Sequence, residues 1–172
     1  MKLRKALAFL LASVTTLCVA SCDGDDDDDD APITVVKTSA ADAVVGMYVD
    51  SLSYTVGTMS DGVIQNDTLT ISKVSDNMVD LHFSKYMGMG GSSSSLNVYN
   101  VVVTEKDGSY TLSVSEDEDA ATKAKMTSSA YNVTKLDGVV GKESVSLDFD
   151  FLIAAMNATF SNSFKNGKKV SK

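Results

Sequence analysis

Past Ala40 the apolar positions recur with a period of two. Leu52, Tyr54 and Val56 alternate with Ser51, Ser53 and Thr55; Leu69 and Ile71 with Thr68, Thr70 and Ser72; Val79, Leu81 and Phe83 with Asp80 and His82. Tyr99, Val101 and Val103 continue the pattern, as do Tyr110, Leu112 and Val114 against Thr111 and Ser113. The clearest run is Val145, Leu147, Phe149 and Phe151 against Ser146, Asp148 and Asp150, followed by Met156, Ala158 and Phe160. Successive side chains of a strand point to opposite faces, so this alternation predicts half-buried strands. Between the runs stand Asp61-Gly62, Asp76-Asn77, Asp107-Gly108, Asp137-Gly138 and Asn166-Gly167. They predict tight turns, because Gly and Asn tolerate positive φ. About eight short strands at near-regular spacing predict an all-β domain, an antiparallel meander closed into a barrel or folded as a sandwich. Only Ala40 to Val45 and Asp119 to Lys125 read as candidate turns of helix.

The start of the chain departs from this pattern. Lys2, Arg4 and Lys5 precede an uncharged, mostly apolar stretch from Ala6 to Leu17. This reads as a secretory leader whose apolar segment is too short to span a membrane. Val19-Ala20-Ser21-Cys22 then resembles the lipobox of bacterial lipoproteins, which implies cleavage before Cys22 and a diacylglycerol on its thiol. An ordinary cleaved leader is the alternative. Directly after Cys22 come Asp23, Gly24 and the run Asp25 to Asp30. Such a run repels itself and buries no apolar surface, so it reads as a solvated tether behind a lipid anchor. It is also similar to the acidic export signal that follows the lipidated cysteine in surface lipoproteins of the Bacteroidetes group. That resemblance implies export to the cell surface directed by Asp23, Asp25, Asp26 and Asp27; a plain spacer is the competing reading. The organisation expected is a leader over 1–21, a lipidated cysteine and tether over 22–40, and a β-domain over 41–172.

Composition narrows the chemistry. The formal net charge is −8, and the leader carries three of the 15 basic residues and none of the 23 acids. An acidic body offers no electrostatic footprint for nucleic acid. Both cysteines, Cys18 and Cys22, precede the β-domain. The domain therefore has no disulfide, no thiolate nucleophile and no cysteine-based zinc site. Tryptophan is absent while six tyrosines remain.

The segment from Leu81 to Val114 links a strand, a Met/Gly/Ser-rich loop, a long strand and a hairpin. Together with Gly46 to Val56 upstream and Ser144 to Phe164 downstream, it resembles the calycin-like β-barrel lipoproteins of the Bacteroidetes group. Gly46-Met47-Tyr48, Asn100-Val101-Val102-Val103 and Asp107-Gly108 are the matching positions, and the resemblance spans about residues 44 to 166. It implies a lipocalin-like barrel that binds a lipid or other small molecule, with no catalytic motif to carry over. In such a barrel the inward residues line a cavity. Tyr48, Leu52, Tyr54, Val101, Leu147 and Phe149 are the wall residues expected, and the same six would equally describe a filled core.

Other constellations have simpler readings. His82, the single histidine, shares the Asp80 face and is expected at the surface; no Gly-x-Ser-x-Gly elbow accompanies it. Gly88, Gly90 and Gly91 lack the Lys-Ser/Thr and the helix of a phosphate loop. Met87 and Met89 in the same loop read as a plug of the barrel end, with contact to an apolar ligand as the alternative. Asp148 and Asp150 read as exposed acids of a half-buried strand. Glu116 to Asp119 read as a solvated loop, with calcium a minor alternative. Asp50-Ser51-Leu52 and Asp67-Thr68-Leu69, both near expected strand starts, look like acceptor triplets for O-glycans at Ser51 and Thr68. The expected activity is non-catalytic binding without metal or cofactor. The partners expected are a membrane through the lipid anchor, and a small apolar molecule, a glycan or a surface protein. A structural or accessory subunit with a solid barrel is the rival.

Overall fold

The computed structural model describes residues 38–58, 60–86, 95–115 and 131–172. Cys22 and the acidic run, the Met87 to Gly91 loop, and the segment holding Glu116 to Asp119 and Asp119 to Lys125 lie outside the described residues.

A short helix, α1 (Ala40–Val44), leads into eight strands: β1 (Gly46–Val56), β2 (Ser60–Ser75), β3 (Met78–Phe83), β4 (Leu96–Lys106), β5 (Ser109–Ser113), β6 (Tyr131–Val140), β7 (Ser144–Ile153) and β8 (Ala158–Ser171). Each strand pairs antiparallel with the next, and β8 closes on β1, giving the closed barrel that the alternation allowed. The inward phase is apolar: Leu69, Ile71, Val79, Leu81, Phe83, Val145, Leu147, Phe149 and Phe151 are all buried. The outward phase is largely Ser, Thr, Asp and Lys. This is the reverse of a membrane-spanning barrel, whose apolar side chains face out.

The two ends differ. At one, α1 caps the barrel, with Ala41 and Val44 fully buried. Ser39 begins the helix with a capping box: the Asp42 N–H donates to Ser39 Oγ at 3.2 Å, and Asp42 Oδ2 accepts from the Ser39 N–H and Oγ. The capping box satisfies N–H groups that the first turn leaves without helical partners. Lys73 of β2 bridges Asp42 at 2.9 Å and Asp76 of the β2–β3 turn at 3.0 Å. The Tyr48 hydroxyl donates to the Val44 carbonyl at 2.8 Å, tying β1 to the helix C-terminus. The opposite end, where β1, β3, β5 and β7 finish, is called the mouth below.

The middle of the barrel is filled. Phe83 on β3 and Phe149 on β7, four strands apart around the circle, stack with ring centroids 5.3 Å apart, and Phe164 meets Phe83 edge-on at 5.8 Å.

Several local expectations are corrected. Asp76-Asn77 and Asp107-Gly108 are turns, the latter with both residues at positive φ (51° and 77°). Asp61-Gly62, Asp137-Gly138 and Asn166-Gly167 instead lie inside β2, β6 and β8. Their glycines face large inward side chains. A Cβ on Gly62 would meet the Tyr54 ring at 2.5 Å, one on Gly138 would meet Leu147 Cδ1 at 2.8 Å, and one on Gly167 would collide with the Phe164 ring. Glycine within a strand marks such close approach as readily as a turn. Tyr99 does not continue the Val101 and Val103 face. Asn100, at φ 56°, places an extra residue in β4 where Val79 and Leu81 face Val101 and Val98, so Leu96 and Val98 are the inward positions before the bulge. Met156 is 41% exposed in the 3₁₀ turn Ala154–Met156 and is not a strand residue.

Candidate functional site

At the mouth three tyrosines and two phenylalanines converge from different elements. Tyr54 comes from the end of β1, Tyr86 from the residues after β3, Tyr131 from the start of β6, Phe151 from the end of β7 and Phe160 from the start of β8. Phe151 is the hub. It stacks on Phe160 at 4.9 Å and takes Tyr86 and Tyr131 edge-on at 5.9 and 6.0 Å. Tyr86, Phe151 and Phe160 are buried, while Tyr54 and Tyr131 are half-buried against them. Burial pushes the Tyr86 phenol well above its ordinary pKa, and the neighbouring Tyr54 and Tyr131 phenols add to the shift. Buried rings edged by the partly exposed Tyr54 and Tyr131 make an environment suited to apolar or aromatic ligands that also carry a polar group.

Asp67 delivers Tyr86 to this place. Asn66, at φ 53°, is the extra residue of a bulge opposite Asp50 and Leu52, and it turns Asp67 into the inward phase, where Asp67 is fully buried. Its Oδ1 accepts from the Thr68 N–H at 2.7 Å, the Lys85 N–H at 2.9 Å and Ser84 Oγ at 3.1 Å. The Ser84 N–H also donates to the Thr68 carbonyl at 3.0 Å, and Lys85 Nζ to that of Asn66 at 2.8 Å. Residues 84 and 85 are thus fastened to β2, and Tyr86 has little choice but to enter the mouth.

Beneath the aromatic cluster lies Asn162, 4% exposed and flanked in register by Tyr54 on β1 and Phe149 on β7. Its Nδ2 donates to the carbonyls of Phe149 and Phe160, each at 3.3 Å. Those two acceptors fix the amide orientation and leave Oδ1 buried without a partner; Asp67 Oδ2 is likewise unpartnered. A buried acceptor left unmatched costs about 1–3 kcal/mol.

The expected wall residues are spread through the barrel rather than gathered. Tyr48 belongs to the helix-capped end, where burial pushes its phenol up to about 12 and Lys169 Nζ lies 5.3 Å from its ring centroid. Leu52, Val101, Leu147 and Phe149 are fully buried or nearly so in one continuous core, and Tyr54 alone of the six stands at the mouth. Tyr86, Tyr131, Phe151, Phe160 and Asn162 were not among the candidates. A signal for Asn162 existed: Ala158, Phe160 and Phe164 share its phase, so it is a polar residue at an apolar position of the strand period.

The remaining candidates sit on the outer wall. Asp148 accepts from Ser163 Oγ at 2.7 Å and pairs with Lys165 at 2.5 Å, and Lys165 above all holds its carboxyl below the ordinary range. A carboxylate so held is a poor proton donor, which argues against an acid–base pair with Asp150. An open depression of ≈ 550 Å³ borders Asp148 and Lys165, with Thr111, Ser113, Val139 and Ser146 on its other sides. His82 is half-buried rather than freely exposed, and its Nδ1 lies 2.6 Å from Asn97 Oδ1 on the neighbouring strand. Ser51 and Thr68 lie within β1 and β2, not near strand starts, since both strands extend through polar residues that read as boundaries. Ser51 Oγ donates to Gln65 Oε1 at 2.9 Å. Among the described residues no three His, Cys, Asp or Glu side chains gather as metal ligands.

The family model of the calycin-like beta-barrel domain matches residues 44–167. The chain belongs to that family. This calycin-like barrel is also similar in fold to a solved structure named "putative outer membrane protein" from Bacteroides fragilis, with a TM-score of 0.56 and 22% identity. The match covers 77% of this chain and 53% of the other, so the calycin-like chain spans about half the length of that protein. Among curated proteins, none matches.

Proposed function

We propose that this calycin-like barrel is the binding domain of a lipoprotein, anchored through Cys22 in an outer membrane and carried to the cell surface by the acidic run from Asp23. Its function is non-catalytic: it takes a small, largely apolar molecule at the mouth. The observation that carries the reading is the cluster of Tyr54, Tyr86, Tyr131, Phe151 and Phe160 above an unmatched acceptor on Asn162. The leader, the lipobox-like Val19-Ala20-Ser21-Cys22 and the name of the Bacteroides fragilis protein support the location. Binding would be by burial, with rings that contact the ligand and few polar groups to orient it.

The contact between Phe83 and Phe149 favours a second reading. Side chains from opposite walls that touch leave no through-cavity at that level, as in a solid barrel that serves as an accessory subunit of a surface complex. Native mass spectrometry of the protein purified from the cells that make it, before and after organic extraction, separates the two. A mass that falls on extraction supports the binder. An unchanged mass sinks it in favour of the solid barrel, and absence of a diacylglycerol increment on Cys22 removes the anchor.

A further inference from the structure

We infer that the ligand of the mouth carries a hydrogen-bond donor, a hydroxyl or an N–H on an aromatic or otherwise apolar body, and that Asn162 Oδ1 receives it. The inference rests on the binding reading above and narrows it to a chemical class. Three observations carry it. Asn162 occupies an inward position of β8 between Phe160 and Phe164, where the strand period calls for an apolar side chain. Its amide nitrogen is committed to two backbone carbonyls, so the group it offers is an acceptor and only an acceptor. Finally, Tyr54, directly across from Asn162 on β1, lies over Gly62 on the far side, since a Cβ at Gly62 would touch Cζ and Oη of that ring. The phenol nearest in register is thereby drawn toward β2 and away from the β8 amide. A donor-bearing ligand is the complement of this arrangement, and a donor-free one of the same shape would leave the oxygen unmatched.

The test uses the full chain, isothermal calorimetry and two probes of nearly equal size: indole, whose N–H is a donor, and benzofuran, whose ring oxygen is not. The expected result is indole binding about tenfold tighter than benzofuran, with the gap closing in Asn162→Leu. Equal affinity for wild type would overturn the inference while leaving apolar binding intact, because the oxygen would then hold water or nothing. A gap that persists in Asn162→Leu would also overturn it, since the donor would be received elsewhere. Binding of neither probe would count against the inference and against the binding reading together. Should Asn162→Leu not fold, Asn162→Ala is read in the same way, and the wild-type comparison decides without either variant.

Discussion

The helix-capped end and the mouth are built from the same strands, yet they treat polar groups in opposite ways. At the capped end the polar groups have partners: the buried Tyr48 hydroxyl donates to Val44, and nearer the surface Ser39 and Asp42 complete the capping box while Lys73 joins helix to turn. Towards the mouth, Asn162 Oδ1 and Asp67 Oδ2 are buried without one. Matched groups make an end rigid, whereas unmatched acceptors among aromatic rings mark a place where stability has been given up. Folds tend to carry such local costs where they interact with something else.

The partition between the ends is the aromatic plug, and removing it should have the largest effect. Phe149→Ala takes away a fully buried ring stacked on Phe83, so about 3–5 kcal/mol of unfolding free energy should be lost in urea titration. A loss under about 1 kcal/mol would mean that the two ends are not separated by a packed layer. Next comes Asp67→Ala, which strands the Thr68 and Lys85 N–H groups and the Ser84 hydroxyl. About 2 kcal/mol should go, with hydrogen exchange rising at residues 84–86 while α1 stays protected. Faster exchange at α1 as well would show that the ends are coupled and the contrast between them false.

How much of this could be read from the chain follows from the physics of each feature. Alternation reports which face a residue occupies, and it located Leu69, Ile71, Val79, Leu81, Phe83 and the Val145 to Phe151 run on the interior. It reports neither register nor bulges. One added residue at Asn100 was enough to move Tyr99 off the expected face, and another at Asn66 put Asp67 inside. Turn pairs misled for a related reason: Gly62, Gly138 and Gly167 answer to Tyr54, Leu147 and Phe164, neighbours that only the folded sheet brings over them. The mouth was least legible, because its rings arrive from five separate elements. Asn162 carried a signal in its β8 phase, yet it was not among the expected site residues.

Tyr48→Phe and Asn162→Leu each take polar groups out of the interior, one at either end. Tyr48→Phe removes a hydroxyl whose bond goes to Val44, whereas Asn162→Leu removes an amide whose Nδ2 serves the Phe149 and Phe160 carbonyls and whose Oδ1 serves nothing. Tyr48→Phe should cost about 1 kcal/mol by leaving the Val44 carbonyl without its donor. Asn162→Leu should cost less than that, since relief of the unmatched Oδ1 offsets the two long bonds lost from Nδ2. Equal losses in the two denaturation curves would mean that Asn162 is satisfied in solution, and the contrast between the ends would disappear.

The smallest effect concerns pH at the capped end. Asp42 is held down to about 2 from an ordinary 3.8, first by its hydrogen bond with Ser39 and then by that with Lys73. A folded-state pKa below the unfolded value means that the unfolded chain binds the proton more readily, so acid favours unfolding. The contribution is therefore complete above about pH 4 and disappears as pH falls from 3.8 towards 2. Asp42 and Lys73 side chains are 43% and 35% exposed, so salt weakens the pair and the effect should be modest. Thermal melts of wild type and Asp42→Asn should differ at pH 6 and converge by about pH 2, with a smaller difference at pH 6 in high salt. Curves that stay parallel through that window would mean the carboxylate does not hold α1 on the barrel, and would leave the capped end to its apolar contacts, Ala41 and Val44.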